Sequence, residues 1–208
     1  MQALINAGGK GTRMGACGIE KPMHIIGGKP AIRCVVDALY GSENVDRILV
    51  SVSNNTLETE RYLKGIGVET IRTSGEDFME DMHESFKILE GSFVLVCPSD
   101  LPLITTEELD RFIAAFDPKK MESLIALVDK KAIEGLNVKP SYIRDRYGSD
   151  WVVSGVSIMD RGKTLDGIYL HESFYETDRK EFAVNVNTQE ELDQARKIAD
   201  RVLAFHPA

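Results

Sequence analysis

A short apolar strand followed by a glycine-rich loop constrains the fold of this chain more than any other stretch. The strand covers residues 3–5, and the loop after it contains glycines at positions 8, 9, 11, 15 and 18. Because glycine has no side chain, successive backbone N–H groups can point into one concavity, and a ligand can approach the backbone closely. Cations in the same stretch make that concavity an anion site, and a polyphosphate is the anion that it suits. The cations are Lys10, Arg13 and Lys21.

The spacing of the glycines excludes two common phosphate-binding motifs. The P-loop motif G-x-x-x-x-G-K-[ST] fails because Gly11 follows Lys10 and no glycine lies five residues before Gly9. The dinucleotide motif G-x-G-x-x-G fails because Met14 stands where its third glycine belongs. What remains is A-G-G-x-G-x-R-M-G over residues 7–15, followed by Lys21-Pro22. The alternative is an ordinary glycine-rich surface turn, which needs neither this length nor three cations.

The composition indicates one acidic domain with a local basic cluster. The chain has 208 residues, a hydrophobic content of 43% and a formal net charge of -8, which disfavours a broad nucleic-acid surface. The basic residues gather near the loop and suit a small anionic ligand. No apolar run approaches the roughly twenty residues of a membrane span, and no signal-peptide pattern is present, so we expect a cytoplasmic protein.

Three cysteines are expected to be free thiols. Cys17, Cys34 and Cys97 cannot all pair within one chain and form no C-x-x-C motif. Cys97 closes an apolar strand and is expected to be a small core residue. Cys17 lies in the glycine-rich loop, where a reactive thiol is the alternative to an inert one.

Strands and helices alternate as far as residue 117, which predicts an α/β fold. Further strands are predicted at 47–52, 68–72, 93–96 and 123–128, and helices at 31–40, 57–64 and 76–89. A fourth helix, capped by Thr105 or Thr106, is predicted to reach about residue 116. Thr56 is the expected cap of the second of these helices. We expect a single Rossmann-like three-layer domain, whose mostly parallel twisted sheet is doubly wound.

The second half of the chain is less regular and is assigned to an insert and a closing unit. Residues 129–181, with one predicted strand at 151–158, are expected to form a small insert or lid at one edge. A strand at 182–186 and a final helix return to the core, which therefore covers 1–128 and 182–208. Thr188-Gln-Glu-Glu191 is a capping box for that helix. Its buried face is expected to comprise Leu192, Ala195, Ile198, Ala199 and Val202.

Polar residues follow four of the predicted strands, whose ends converge on one crevice in such a sheet. Asp100 is the expected metal ligand, because a carboxylate leaving a buried strand is costly unless it meets a cation. Mg²⁺ takes one or two protein oxygens in addition to phosphates. Asn185 and Asn187 alternate on the predicted strand, so one of them, which we take as Asn187, would complete the metal shell. The alternatives are a turn cap for Asp100 and a helix cap for the asparagines.

The loop pattern resembles the signature of the nucleotidyltransferases, and this resemblance implies distinct roles for its cations. Lys21, held by Pro22, would neutralise charge on an α-phosphate, while Lys10 and Arg13 would hold the β- and γ-phosphates. Phosphoryl-type transfer needs no nucleophilic side chain, which fits the absence of Ser-His-Asp and Cys-His arrangements. The four histidines have no metal spacing. Short polar groups suit reading of a base edge, with ordinary turn chemistry as the alternative; they are Ser53, Asn54, Asn55, Thr73, Ser74 and Gly75.

These motifs together resemble those of the archaeal adenosylcobinamide-phosphate guanylyltransferases. That family is similar in fold to the molybdenum-cofactor guanylyltransferases, within the nucleotide-diphospho-sugar transferase type. The resemblance implies transfer of GMP from GTP to adenosylcobinamide phosphate, with Mg²⁺ and release of pyrophosphate, in cobalamin biosynthesis. It covers roughly residues 1–128 and 182–204 and rests on 4–15, Glu20-Lys21-Pro22, Thr73-Ser74-Gly75, Ser99-Asp100-Leu101 and Val186-Asn187-Thr188.

The resemblance also assigns the site. It implies catalytic roles for Arg13, Lys21 and Asp100, and a metal bound by Asp100 and Asn187. Ser154 and Gly155 are assigned to the acceptor only because they end a strand of the 129–181 insert, where no acceptor motif is present. Asn6 departs from the apolar or small residue that relatives usually carry. The nucleotide-binding set is Ala7, Gly8, Gly9, Lys10, Gly11, Thr12, Arg13, Lys21, Ser53, Asn54, Thr73, Ser74, Gly75 and Asp100.

Other functions stay open at this point. The acceptor could instead be molybdopterin or a sugar or polyol phosphate, and the nucleotide could be a cytidylyl donor. A nucleotide-binding regulatory module without turnover is the alternative from another class. In either enzyme case the partners are small molecules, without nucleic acid or membrane, and a homodimer is left open.

Overall fold

The computed structural model describes residues 1–14 and 18–205, and the side chains of 1–14 and 18–201. The expectations for Gly15 and Cys17 in the loop, for His206, and for burial of Val202 fall outside this description. The strands are β1 (Gln2–Asn6), β2 (Ile25–Ile26), β3 (Lys29–Pro30), β4 (Arg47–Val52), β5 (Glu69–Arg72), β6 (Phe93–Pro98), β7 (Ser123–Asp129), β8 (Ile143–Arg146), β9 (Ser149–Asp160) and β10 (Glu172–Thr177). The α-helices are α1 (Ala31–Tyr40), α2 (Leu57–Gly65), α3 (Phe78–Ile88), α4 (Thr106–Ala114), α5 (Arg161–Leu165) and α6 (Gln189–Phe205).

One mixed, mostly parallel sheet forms the centre of the fold. Its strand order is β10-β7-β9-β6-β1-β4-β5, and β8 pairs with β9. β1 runs parallel to both β4 and β6, β4 is parallel to β5, and β7 is parallel to β10. β9 is antiparallel to β6 and β7. The predicted α/β class with a mostly parallel sheet is confirmed.

Helices cover both faces of the sheet. Side chains alternate along a strand, so Ala3 and Ile5 pack on the side of α1, α2 and α4, while Leu4 packs on the side of α3. Phe112 of α4 and Phe86 of α3 are both fully buried in these two layers. The strands β1, β4, β5 and β6 are parallel, and the helix between each successive pair returns the chain to the edge where the next strand starts. Their C-terminal ends therefore lie together at the other edge of the sheet.

The predicted strand at 182–186 is wrong. Lys180–Phe182 is a short 3₁₀ helix, and the backbone N–H groups of Ala183 and Val184 both donate to the Lys180 carbonyl. The segment is apolar because its side chains are buried, Phe182 and Val184 completely, without pairing to the sheet. A short apolar run does not distinguish a strand from another buried conformation.

Thr56 does not cap α2 through its side chain. The Glu20 carboxylate does so instead, accepting from the N–H groups of Glu58 and Thr59 at 2.7 Å each and from Thr59 Oγ1 at 2.7 Å. The third helix is also shorter than predicted: it begins at Phe78, capped by Asp77, and Met79 lies exposed rather than in an apolar stripe.

The segment 129–181 contributes to the sheet itself. β9 lies between β6 and β7, and β10 lies at the outer edge beyond β7. Its backbone also meets the final helix, because the Lys139 N–H donates to Glu191 Oε1 at 3.0 Å. The other oxygen of that buried carboxylate accepts from the N–H groups of Asn187 and Thr188, so the predicted capping box is present.

Candidate active site

A cleft of about 530 Å³ opens at the C-terminal ends of β1, β4 and β6. Most of the predicted nucleotide-binding residues line it. They are Ala7, Gly8, Gly9, Lys10, Gly11, Thr12, Arg13, Lys21, Gly75 and Asp100, together with Asn187. The strand-end rule for doubly wound sheets therefore located the cleft correctly.

Lys21 joins two residues that are far apart in the sequence. Its ammonium lies 2.5 Å from Asp100 Oδ2 and 2.6 Å from Asn187 Oδ1. The side chains of Lys21 and Asp100 are only 19% and 13% exposed, so this ion pair is less screened than a surface pair. Asn185 Nδ2 donates to Asp100 Oδ1 at 2.9 Å, and the Val186 N–H donates to the Asp100 carbonyl. Both asparagines reach this centre from a loop, not from the predicted strand.

Local structure aims Lys21 into the cleft. The neighbouring Glu20 is fixed by its three hydrogen bonds to the start of α2. Lys21–Met23 then forms a 3₁₀ turn with Pro22 at a position where its missing N–H costs no hydrogen bond. Glu20 thus ties the end of the glycine-rich loop to α2, a role that the sequence analysis missed. The acidic residue before Lys-Pro was its only signal.

The centre has the donor chemistry of a magnesium site. Asp100 and Asn187 present two oxygens to one cation, the Lys21 ammonium, and Mg²⁺ favours oxygen ligands of this kind. The described residues contain no group of three or more His, Cys, Asp or Glu able to hold a metal. Such a site would therefore need further oxygens from a ligand, which agrees with the habit of Mg²⁺ to bind phosphates.

The two other predicted cations lie at the rim of the cleft. Lys10 Nζ lies 2.6 Å from Glu76 Oε2, and both side chains are more than half exposed. Arg13 Nη1 donates to Ser141 Oγ at 3.2 Å, which links the glycine-rich loop to the 129–181 segment. Exposed pairs of this kind contribute little stability, so both cations are available to an anion.

The predicted base-reading residues divide into a supporting set and one cleft residue. Ser53 is fully buried, and its Oγ donates to the Gly8 carbonyl at 2.7 Å. Thr73 Oγ1 donates to the Val52 carbonyl, and Asn54 is exposed outside the cleft lining. Gly75 lines the cleft at φ +70°, where a Cβ would lie 2.6 Å from Ser53 Cβ. Ser53 and Thr73 therefore support the backbone beside the cleft and lie outside its lining.

The sequence analysis also missed several residues that line the cleft. Asn6 lines it beside Ser51, whose Oγ donates to Asn6 Oδ1 at 3.1 Å. Glu76, Phe78 and Asp81 approach from the start of α3, at the end of the cleft nearest β5. Their only sequence signal is their position directly after Thr73-Ser74-Gly75. Pro22, Pro98 and Ser99 complete the lining.

Ser154 and Gly155 lie outside the lining of this cleft. Ser154 is buried, and its Oγ has no hydrogen-bond partner among the described residues. Gly155 is exposed at φ +86°, and a Cβ there would lie 3.4 Å from Pro98 Cγ, next to the strand that leads to Asp100. The pairing of β7 with β9 shifts register at this point, between Ile125 and Leu127. Their role toward an acceptor stays a prediction.

Two further expectations concern cysteine and histidine. Cys97 is fully buried as predicted, and burial, followed by the Asp100 carboxylate, raises the pKa of its thiol. His24 is buried, and this burial, followed by Arg196, lowers the pKa of its imidazole.

No described helix combines the length and apolar content needed to cross a membrane.

The sequence has curated relatives among guanylyltransferases. It is 36% identical over 121 residues to the adenosylcobinamide-phosphate guanylyltransferase of Methanocaldococcus jannaschii, covering 56% of this chain and 60% of that protein. It is 28% identical over 127 residues to the molybdenum cofactor guanylyltransferase of Shewanella frigidimarina, covering 61% of this chain and 62% of the relative. The similarity thus spans about three fifths of each relative.

Solved structures of nucleotidyltransferases share the fold. A nucleotidyl transferase from Methanothermobacter has a TM-score of 0.70 at 19% identity and covers 97% of this chain and 98% of its own. A putative glucose-1-phosphate thymidylyltransferase from Bacillus anthracis has a TM-score of 0.72 at 15% identity, covering 96% and 95%. At residues 3–148 the sequence matches the MobA-like NTP transferase domain. The chain therefore belongs to the family of MobA-like NTP transferase domains, and within it is similar to the adenosylcobinamide-phosphate guanylyltransferases.

Proposed function

We propose that this protein is a nucleotidyltransferase that moves GMP from GTP to adenosylcobinamide phosphate, a step of cobalamin biosynthesis. The observation that carries the proposal is the contact of one lysine, Lys21, with both Asp100 and Asn187 in a cleft lined by a glycine-rich loop. The choice of guanylyl donor and corrinoid acceptor is supported by the 36% identity to the Methanocaldococcus protein.

In the proposed reaction an oxygen of the acceptor phosphate attacks the α-phosphorus of GTP. A new P–O bond forms, the bond to the bridging oxygen breaks, and its electron pair leaves with pyrophosphate. The reaction needs positioning and charge stabilisation rather than a protein nucleophile. Lys21 would stabilise the charge on the α-phosphate, and it is the best-held cation of the cleft. Lys10 and Arg13 would take the β- and γ-phosphates in place of Glu76 and Ser141.

Asp100 and Asn187 would hold Mg²⁺ through their side-chain oxygens. When bound, the ion would supply positive charge to the phosphates. Lys21 would move from between these oxygens toward the α-phosphate, while Asn185 would keep its hydrogen bond to the other Asp100 oxygen.

An assay of pyrophosphate release tests the proposal and its alternatives. The protein is incubated with Mg²⁺, one of GTP, CTP or ATP, and one acceptor from a panel: adenosylcobinamide phosphate, molybdopterin, or a sugar or polyol phosphate. We expect release with GTP and the corrinoid phosphate. Release with another acceptor would reassign the substrate. Tight GTP binding without release for every acceptor would favour a regulatory module.

Asp100→Ala tests the site within the same assay. Loss of charge stabilisation at the α-phosphate predicts a fall in kcat of at least about 10²-fold. The matched control is Asp178→Ala, because Asp178 is exposed and outside the cleft lining. Near wild-type turnover of Asp100→Ala in Mg²⁺ would contradict the role assigned to Asp100, provided that both variants unfold cooperatively like the wild type.

A further inference from the structure

The end of the cleft nearest β5 differs chemically from the phosphate-binding end. Its walls are Gly75, Glu76, Phe78 and Asp81, from the turn after β5 and the first turns of α3. Phe78 is 59% exposed although it is large and apolar. Phe78 and Asp81 are three residues apart on a helix and therefore share one face of it. An exposed aromatic ring beside a carboxylate is the chemistry of a nucleobase site, offering a stacking surface and an edge acceptor.

Asp81 is the cleft carboxylate that keeps acceptor capacity for a ligand. Asp100 is paired with Lys21, and Glu76 with Lys10. Asp81 has no ion pair among the described residues of the chain; its partners there are uncharged. Its Oδ1 accepts from Ser74 Oγ at 2.8 Å and weakly from the Gly75 N–H at 3.2 Å, and its Oδ2 accepts from the Gly75 N–H at 3.0 Å. An ionised carboxylate has about four acceptor sites, so Oδ2 retains one for an incoming donor.

The sheet order sets how a nucleotide would lie in the cleft. β5, β4, β1 and β6 follow one another across it. The phosphates belong with the loop after β1 and with Lys21 near β6, because the cations that line the cleft, Lys10, Arg13 and Lys21, lie there. The base then extends toward β5, where Gly75 lines the cleft without a side chain. Phe78 and Asp81 meet it at that end.

We propose that Asp81 selects guanine by accepting a hydrogen bond from its 2-amino group at Oδ2, while Phe78 stacks on the ring. This inference rests on the proposed function in that it assigns the base subsite of the same cleft. Guanine presents two adjacent donors on this edge, hypoxanthine presents N1–H alone, and adenine presents an unprotonated N1. A site built around an acceptor rejects bases that lack the matching donor, because the remaining acceptor site of the carboxylate then loses its hydrogen bond to water without gaining one to the base.

Equilibrium binding of GTP, ITP and ATP by calorimetry tests the inference without requiring turnover. For the wild type we expect GTP to bind roughly 10- to 100-fold more tightly than ITP, the range for one hydrogen bond to a charged group. Asp81→Asn retains an oxygen for Ser74 and Gly75 but replaces the second acceptor with a donor, so the GTP-to-ITP ratio should fall toward one. Phe78→Ala should weaken all three nucleotides about equally, since stacking does not depend on the edge groups.

Glu80→Gln is the matched control, because it removes a neighbouring exposed carboxylate of α3 that does not line the cleft. It should leave the ratio unchanged. An unchanged ratio in Asp81→Asn, or equal binding of GTP and ITP by the wild type, would overturn the inference. If Asp81→Asn does not fold, Asp81→Ser, which keeps a small acceptor near Gly75, carries the same test. Normal base selectivity without pyrophosphate release would instead count against the proposed function alone.

Discussion

Replacement of Gly75 by alanine should destabilise the protein more than a positive φ alone explains. Gly75 has φ +70°, and a Cβ there would lie 2.5 Å from Ser53 Oγ, 2.6 Å from Ser53 Cβ and 2.8 Å from Asn55 Nδ2. The left-handed backbone costs alanine about 1–2 kcal/mol. The overlap adds about 1–3 kcal/mol, because Ser53 Cβ is tied to β4 and cannot swing away. We therefore expect a total loss of about 2–5 kcal/mol in the free energy of unfolding.

Two other glycines separate these contributions. Gly67 has φ +76° with no atom within 4 Å of a Cβ, so Gly67→Ala should cost the backbone contribution alone. Gly65, in α2, has neither a positive φ nor an atom within 4 Å of an added Cβ. Gly65→Ala should therefore be neutral or stabilising by up to about 1 kcal/mol. Urea unfolding with a constant m-value measures all three. A loss for Gly75→Ala within about 0.5 kcal/mol of that for Gly67→Ala would refute the proposed overlap.

Two further predictions concern residues next to the cleft. Glu20→Ala should lower the free energy of unfolding by about 1–2 kcal/mol, because it removes the cap of α2. Glu20→Gln keeps a side-chain oxygen that can accept from α2, so its loss of stability should be smaller. Equal losses for the two variants in urea unfolding would contradict a capping role. Cys97 should resist iodoacetamide at pH 8 in the native state and react in denaturant, since burial raises the pKa of its thiol. Peptide mapping checks this, and modification of Cys97 in the native protein as fast as in denaturant would contradict it.

The central strands and helices were predictable because they follow from the local periodicity of apolar residues and from the residues that end each element. Helix α1 and strand β4 have the bounds that periodicity and punctuation predicted, residues 31–40 and 47–52. The parallel order of the first strands follows from their alternation with helices. The place of β9 did not follow, because nothing in residues 151–158 indicates an antiparallel strand between two others.

The candidate site was predictable in its backbone and less so in its side chains. The strand ends bring the loop, Gly75 and Asp100 together, as a doubly wound sheet requires. Which way a polar side chain turns at a strand end depends on its neighbours, so Ser53 was expected to face a ligand but is buried against Gly8. Asp81 was missed for the opposite reason, since it lies within a helix whose position over the cleft is a tertiary feature.

The three-way contact at Lys21 also sets when the cleft can exist during synthesis. Its partners lie 79 and 166 residues further along the chain. A nascent chain exposes the glycine-rich loop early, but Asn187 follows only after every strand of the described sheet has been translated. Contacts of such large separation form late, because the loops that they close are long. A nucleotide whose binding requires Lys21, Asp100 and Asn187 together would stabilise only chains that contain all three residues. Such binding would therefore favour the folded chain over incomplete nascent chains.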